Sequence, residues 1–107
     1  MQGYQLTFFT QQDRRHGALP LGEWLMQEAR RLGVRGATLI AAAEGFGHAG
    51  RLHSARFFEL AAQPIEVTMA LTASEAEQLF QRLREEKIDV FYVKTPIEVG
   101  MSGDGSP

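Results

Sequence analysis

The sequence predicts an α+β fold in which two helices cover one face of a four-stranded antiparallel sheet. Pro64–Leu71 alternates apolar and polar or small residues without a break, as a strand with one buried face does. The segment from Leu21 to Leu32 instead repeats apolar residues at helical spacing. The order strand, helix, strand occurs twice along the chain. Two such units form the split βαβ, or ferredoxin-like, arrangement.

In the first half, Tyr4–Phe9 is predicted as a strand because apolar and polar residues alternate over most of its length. Pro20 suits the first turn of the helix that follows. The apolar stripe of this helix consists of Leu21, Trp24, Leu25, Ala29 and Leu32. Gly33 is predicted to end the helix, and Ala37–Ala43 to form the second strand.

In the second half, Thr72 and Glu75 have the spacing of a capping box and predict the start of the second helix after strand Pro64–Leu71. Its buried stripe is predicted to contain Ala76, Leu79, Phe80 and Leu83. Asp89–Val93 is almost continuously apolar, which favours a well-covered strand. Pro96 argues against a long continuation, so that Ile97–Val99 would add only a brief edge strand.

Helices on one face leave the other face of the sheet to meet water or another subunit. Phe9, Leu39 and Phe91 are expected on that uncovered face, and a closed oligomer is the economical way to bury them. Residues 1–100 are predicted to form a single domain, and residues 101–107, which are small, polar and rich in glycine, a flexible tail.

Composition narrows the classes of function. The chain has 107 residues and a net charge of −2, which disfavours nucleic-acid binding through bulk charge. It contains no cysteine, so disulfides, thiolate metal sites and a cysteine nucleophile are excluded. The first residues lack the pattern of a signal peptide, and no apolar run is long enough to span a bilayer. A cytoplasmic protein is expected.

The stretch after the second strand holds the most suggestive chemistry. Glu44 is followed by Gly45-Phe46-Gly47, and a basic loop then carries His48, Arg51, His53 and Arg56. Glycines let a backbone approach a ligand closely, and the cations suit phosphate or carboxylate oxygens. An anion-binding loop and an ordinary hairpin loop with solvated charges both fit these residues. The Arg14-Arg15-His16 run has the same two interpretations.

The segment from Gly33 to His53 resembles the second-strand signature of the PII superfamily. In that signature a Gly-x-x-Gly-x-Thr segment, here Gly33 to Thr38, runs to Gly45-Phe46-Gly47. The Asp-Arg-Arg-His loop and the Leu-His-x-Ala-Arg segment look more specifically like the PII-like proteins long catalogued as a family of unknown function. The resemblance covers roughly Gly3 to Gly100.

This resemblance implies a non-enzymatic regulatory protein, a homotrimer with an adenine nucleotide in the clefts between subunits. Thr38 would lie near the base, and Gly45, Phe46 and Gly47 would form the turn at the foot of a regulatory loop, with amides facing phosphates. Arg51 and Lys94 would be phosphate contacts. No metal would be required, and the partner would be the cytoplasmic face of a membrane transporter or channel.

The sequence differs from that of PII proteins in two segments, and these differences affect which ligand is expected. The loop from about His48 to Arg56 is much shorter and contains no tyrosine, so a tyrosine modification has no target there. Only Glu86-Lys87-Ile88-Asp89 separates the second helix from the last strand, and the glycine-rich phosphate loop of PII proteins is missing. AMP, ADP or cyclic AMP is therefore favoured over ATP.

Three alternatives stay open. Acylphosphatase-like enzymes of similar topology use a loop arginine, for which Arg14 or Arg15 could serve, together with an asparagine, and this sequence has no asparagine. A trimer that binds divalent cations could use His48 and His53 with Glu44 or Glu59. A trimer that binds no small molecule is the third.

Overall fold

The protein is described from a computed structural model, which covers residues 1–46, 52–54 and 63–104. Along the chain, the elements are strands β1 (Gln2–Gln11), β2 (Arg15–His16) and β3 (Leu19–Pro20), helix α1 (Leu21–Arg31), strands β4 (Gly36–Ala41), β5 (Glu44–Phe46), β6 (Leu52–Ser54) and β7 (Pro64–Leu71), helix α2 (Ala73–Glu85), strand β8 (Phe91–Glu98) and a 3-10 turn (Ser102–Asp104). The 3-10 turn lies in the segment that the sequence predicts to be a flexible tail.

The main sheet has the strand order β4-β7-β1-β8, and each neighbouring pair is antiparallel. This is the strand order of the split βαβ arrangement, so the predicted fold class is confirmed. Both helices cover the same face, because the residues buried in β1 and β7 face the stripes of α1 and α2. The core consists of Leu6, Phe8, Leu21, Trp24, Leu25, Ala29, Ile65, Val67, Met69, Leu71, Ala76, Leu79 and Leu83.

The helix ends follow from short-range chemistry. At the start of α2, Thr72 Oγ1 accepts from the Glu75 amide at 3.1 Å, and the Glu75 carboxylate accepts from the Thr72 amide at 2.9 Å, which confirms the capping box. After α1, Gly33 adopts a φ of 81°, and its amide and that of the next residue bond back to the last turn. After α2, Lys87 takes the same left-handed conformation, with a φ of 56°.

The uncovered face of the sheet is defined by the strand register. One row across it contains Thr38, Thr68, Thr7 and Val93, and the next contains Ile40, Glu66, Phe9 and Phe91. The Thr7 and Thr68 hydroxyls are 3.1 Å apart, and the rings of Phe9 and Phe91 have centroids 5.6 Å apart. Phe9 and Phe91 therefore lie on this face, as predicted.

The prediction for Leu39 is wrong. Leu39 pairs with buried Val67 and lies on the face that the helices cover, close to Gly22 of α1. Ile40 is on the uncovered face instead, with 51% of its surface exposed. Successive residues of a strand point to opposite faces of the sheet. An error of one residue in the alternation of β4 therefore exchanges the faces of Leu39 and Ile40.

The prediction that the last strand is well covered is also wrong. β8 is an edge strand, and Phe91, Tyr92 and Val93 are each close to half exposed. It also continues through Pro96 to Glu98. An edge position tolerates proline, because one side of the strand has no hydrogen-bonding neighbour in the sheet.

Candidate functional site

The glycine-rich stretch begins a small ribbon rather than a turn. Gly45 lies within β5 and pairs with His53 of β6, where the resemblance implies the turn at the foot of a loop. Gly45 does not have a positive φ, and a Cβ added there would lie 3.4 Å from the ring of Pro64. The backbone conformation therefore does not demand glycine at this position. Gly47 and Arg51 lie outside the described residues.

Thr38 lies in the middle of β4, directly opposite Thr68 of β7. Its side chain belongs to the uncovered face, in the row where the Thr68 and Thr7 hydroxyls are hydrogen-bonded. This row gives the uncovered face a band of hydroxyl groups that can donate and accept hydrogen bonds. Phe46, another residue of the predicted site, is the last residue of β5, which follows β4 along the chain.

Lys94 lies far from Thr38 within one chain. It pairs with buried Leu6 and therefore belongs to the helix-covered side of β8. There its ammonium nitrogen lies 4.2 Å from the centre of the Tyr4 ring and 6.0 Å from that of Phe80, a cation–π arrangement. The strands that carry Thr38 and Lys94 are the two edges of the sheet, three strand spacings or roughly 14 Å apart. One chain alone does not bring these two predicted contacts together.

The two arginines and the histidine of the first loop all have partners within the chain. Arg14 donates to the backbone oxygen of Asp89, and Arg15 donates to that of Ala18 at 2.5 Å. His16 Nε2 lies 2.8 Å from Glu86 Oε1. These contacts favour a structural role for the Arg14-Arg15-His16 run over an anion site.

Sequence reasoning missed a charged network between the helices. Arg82 of α2 reaches Glu28 of α1, and Glu28 also accepts two hydrogen bonds from Arg31. Arg82 donates as well to Glu85, at 3.1 Å, and Glu86, at 3.4 Å. Arg82 thus joins the two helices, a contact that the spacing of residues within α2 does not indicate.

This network holds its carboxylates in the ionised form. Burial alone would raise the pKa of Glu28, but hydrogen bonds and positive charge from Arg31 and Arg82 lower it below its ordinary value. The hydrogen bonds to Glu28 and Glu85 raise the pKa of Arg82 further. The Arg82 guanidinium also lies 5.9 Å from the centre of the Trp24 ring, so the network covers the aromatic edge of the core.

No group of three or more histidine or acidic residues suited to a metal ion occurs among residues 1–46, 52–54 and 63–104. The metal ligands that the sequence suggests include His48 and Glu59, which lie outside these ranges. In the same part of the chain, neither helix has the length and apolar character needed to cross a membrane.

Comparisons with known proteins agree with this fold. A family profile for DUF190, described as an uncharacterized ACR, matches residues 3–99. A comparison with curated protein sequences gives no match.

Solved structures with a similar fold include PII-like proteins and proteins described as CutA. One is described as a PII-like signaling protein of Thermus thermophilus, with a TM-score of 0.66, 22% identity, and coverage of 91% of this chain and 88% of its own. Another is CPII of Thiomonas intermedia, bound to ADP and bicarbonate, with a TM-score of 0.67, 17% identity, and coverage of 94% and 91%. The divalent cation tolerance protein CutA of Archaeoglobus fulgidus gives a TM-score of 0.58 at 9% identity, with coverage of 97% and 91%.

Proposed function

The chain belongs to the DUF190 family, and we propose that it is a PII-like regulatory protein that binds an adenine nucleotide between the subunits of a homotrimer. The observation that carries the division of the site between subunits is the placement of Thr38 and Lys94 at opposite edges and on opposite faces of one sheet. If both contact one nucleotide, neighbouring chains must each supply one of them. The fold shared with CPII, which was crystallised with ADP, supports the choice of nucleotide.

The uncovered face supports assembly. Ile40, Phe91 and Val93 are each about half exposed there, and Phe9 lies directly opposite Phe91. Exposed apolar side chains grouped on one part of a sheet face are costly in water and mark a surface that meets another protein. Rotational symmetry would bury the same face of every copy, so a closed ring is the simplest arrangement.

The connection between α2 and β8 favours a ligand with few phosphates. The amide of Lys87 bonds to the Arg84 carbonyl at 3.1 Å, and that of Ile88 to the Leu83 carbonyl at 2.9 Å. These two amides complete the end of α2, so they are not free to bind phosphate oxygens. AMP, ADP or cyclic AMP is therefore the proposed ligand in preference to ATP, with Gly45, Phe46, Gly47 and Arg51 as further contacts.

In this proposal, nucleotide binding reorders the segment from Gly47 to Arg56 and changes its fit to a partner. The response can be no larger than the difference in nucleotide affinity between the two states of that segment. The protein acts in the cytoplasm and without catalysis, and the cytoplasmic face of a transporter or channel stays the predicted partner.

The test is calorimetric titration of the metal-free protein with AMP, ADP, ATP and cyclic AMP, with the oligomer mass determined on the same sample. Micromolar binding at about one site per chain of a trimer, tightest for a ligand other than ATP, is expected. A trimer that binds none of the four nucleotides would overturn the proposal. Zinc and copper would then be titrated, because the fold is shared with CutA.

A further inference from the structure

The β2–β3 ribbon, residues 12–20, joins two parts of the molecule that are distant in sequence. At one end, the amide of Gln12 donates to the Gln63 carbonyl at 2.9 Å, immediately before β7. Two residues later, Arg14 donates to the backbone oxygen of Asp89, between α2 and β8. The ribbon therefore links the end of α2 to the chain that enters β7.

Few backbone contacts hold the ribbon itself. β2 and β3 have two residues each and share two pairs, Arg15 with Pro20 and His16 with Leu19. The Leu21 amide adds one hydrogen bond to the Arg14 carbonyl, at 2.8 Å. A two-stranded ribbon of this length is not stable alone, so side-chain contacts decide how firmly it is docked.

His16 contacts both helices through its side chain. Its Nε2 lies 2.8 Å from Glu86 Oε1 at the end of α2, and its ring meets the Trp24 ring of α1 edge-on, with centroids 5.2 Å apart. The side chains of His16 and Glu86 are 27% and 35% exposed, so protons reach the pair from solvent. A histidine changes charge between about pH 5 and pH 8, unlike the other groups around it.

We infer that the His16–Glu86 contact is a proton-sensitive latch, which holds the β2–β3 ribbon against α2 more firmly when His16 is protonated. A neutral imidazole makes a hydrogen bond with the carboxylate, whereas the imidazolium adds an ion pair. This inference does not depend on nucleotide binding.

The charges around His16 set the direction of the effect. From α2, His16 faces Glu86, which is itself hydrogen-bonded to Arg82. From α1 it faces uncharged Trp24, and in its own ribbon the neighbouring Arg15 is turned to the Ala18 carbonyl. The hydrogen bond from His16 and the charge of Arg82 keep the pKa of Glu86 below its ordinary value. The carboxylate thus stays ionised while histidine titrates, and the latch tightens as the pH falls.

Trp24 provides a direct signal for the test, because it is the chain's single tryptophan and touches His16. Its fluorescence is followed between about pH 8.5 and pH 5 in the ligand-free protein, where we expect one transition in the histidine range. The transition should disappear in His16→Gln. It should persist in the matched controls His48→Gln and His53→Gln, which remove the other two histidines. A transition that survives in His16→Gln would overturn the inference.

Amide exchange measures the latch itself. After correction for the intrinsic exchange rate, protection of the Leu21 and Leu19 amides should rise about two- to fivefold from pH 8 to pH 6, the size expected for a partly exposed ion pair. Amides shared by β1 and β7 serve as the reference and should not change. Glu86→Gln should keep the Trp24 transition and lose this rise in protection. Protection that is independent of pH in the unmodified protein, or an equal rise in Glu86→Gln, would sink the idea even if Trp24 titrates.

Discussion

Arg82 of α2 forms an ion pair with Glu28 of α1, from which it is separated by 54 residues along the chain. Nη2 of Arg82 lies 3.3 Å from Oε1 of Glu28, and Nε lies 3.5 Å from Oε2. Glu28 is only 8% exposed, so its charge depends on these partners and on Arg31. A carboxylate in this position ties together two helices that share no backbone hydrogen bond.

Replacing Glu28 by glutamine should therefore lower the free energy of unfolding at neutral pH. Hydrogen bonds to a charged group are stronger than those to a neutral amide, and the expected loss is about 1–1.5 kcal/mol. Urea denaturation of Glu28→Gln measures it. Glu77→Gln is the matched control, because Glu77 is exposed on α2, and it should change stability by less than about 0.5 kcal/mol. Equal effects of the two substitutions would contradict a special role for Glu28.

The same carboxylate predicts a dependence of stability on pH. The pKa of Glu28 is lowered in the folded chain from 4.5, so the folded state favours the ionised form. Its contribution is present above that value and is lost as the pH falls through the lower, folded-state pKa. The difference in unfolding free energy between the parent and Glu28→Gln should shrink below about pH 4.5. Glu85 and Glu86 also have lowered pKa values and titrate in both proteins, so the difference removes the part of their titration that does not depend on Glu28. A difference that stays constant down to acid unfolding would refute the assignment.

Lys87 occupies a backbone position that glycine would fill with less strain. Its φ of 56° is left-handed, which costs about 1–2 kcal/mol for a residue with a Cβ. Substitution by glycine removes this cost, but glycine also gives the unfolded chain more conformational freedom, which offsets part of the benefit. Lys87→Gly should therefore raise the free energy of unfolding by about 0.5–1 kcal/mol. Arg84→Gly, three residues earlier inside α2, is the control and should lower stability by about 1 kcal/mol. Thermal and urea unfolding of both variants decide the matter, and a loss of stability in Lys87→Gly would show that its side chain has a stabilising contact.

Local patterns made much of the fold predictable. The Thr72–Glu75 box and the alternation of Pro64–Leu71 each depend on residues close in sequence, and both are present as expected. The position of β8 in the sheet was harder to predict. An apolar run has the same sequence whether the residues that cover it come from its own chain or from another chain. Its position at the sheet edge follows only from the order of all four strands.

The candidate site was less predictable for the same physical reason. Which charged side chains of the two helices meet depends on how α1 packs beside α2, so the spacing within α2 alone could not reveal the bond from Arg82 to Glu28. Likewise, the distance of Lys94 from Thr38 depends on register and strand order. Sequence similarity can align both residues with a nucleotide site, but only the sheet shows that they occupy opposite edges.

Gly45 offers a test of whether the ribbon backbone approaches the ligand. Because it has no positive φ and an added Cβ would lie 3.4 Å from the Pro64 ring, Gly45→Val should fold. If nucleotide phosphates lie against this backbone, the branched side chain should abolish binding in calorimetric titration. Gly100→Val is the control, because a Cβ at Gly100 meets nothing within 4 Å and Gly100 lies beyond the last strand of the sheet, so this variant should bind as the parent does. Unchanged affinity in a folded Gly45→Val protein would remove Gly45 from the site.

A site divided between chains makes a prediction that a site within one chain does not. Thr38→Val and Lys94→Gln should each weaken nucleotide binding, because each removes a proposed polar contact. Trimers assembled from an equal mixture of the two variants should regain binding in about one cleft in four, where an intact Thr38 of one subunit meets an intact Lys94 of its neighbour. Titration of the mixture, after unfolding and reassembly together, measures the number of restored sites.

The control is the same mixture combined without reassembly, which should show no restored site. Recovery only after reassembly would place the two residues in one cleft on different chains. Absence of recovery, in mixed trimers whose composition is verified by native mass spectrometry, would mean that Thr38 and Lys94 do not act on the same nucleotide. Their separation at the two edges of one sheet would then reflect two independent roles, with Lys94 serving only to cover the Tyr4 ring.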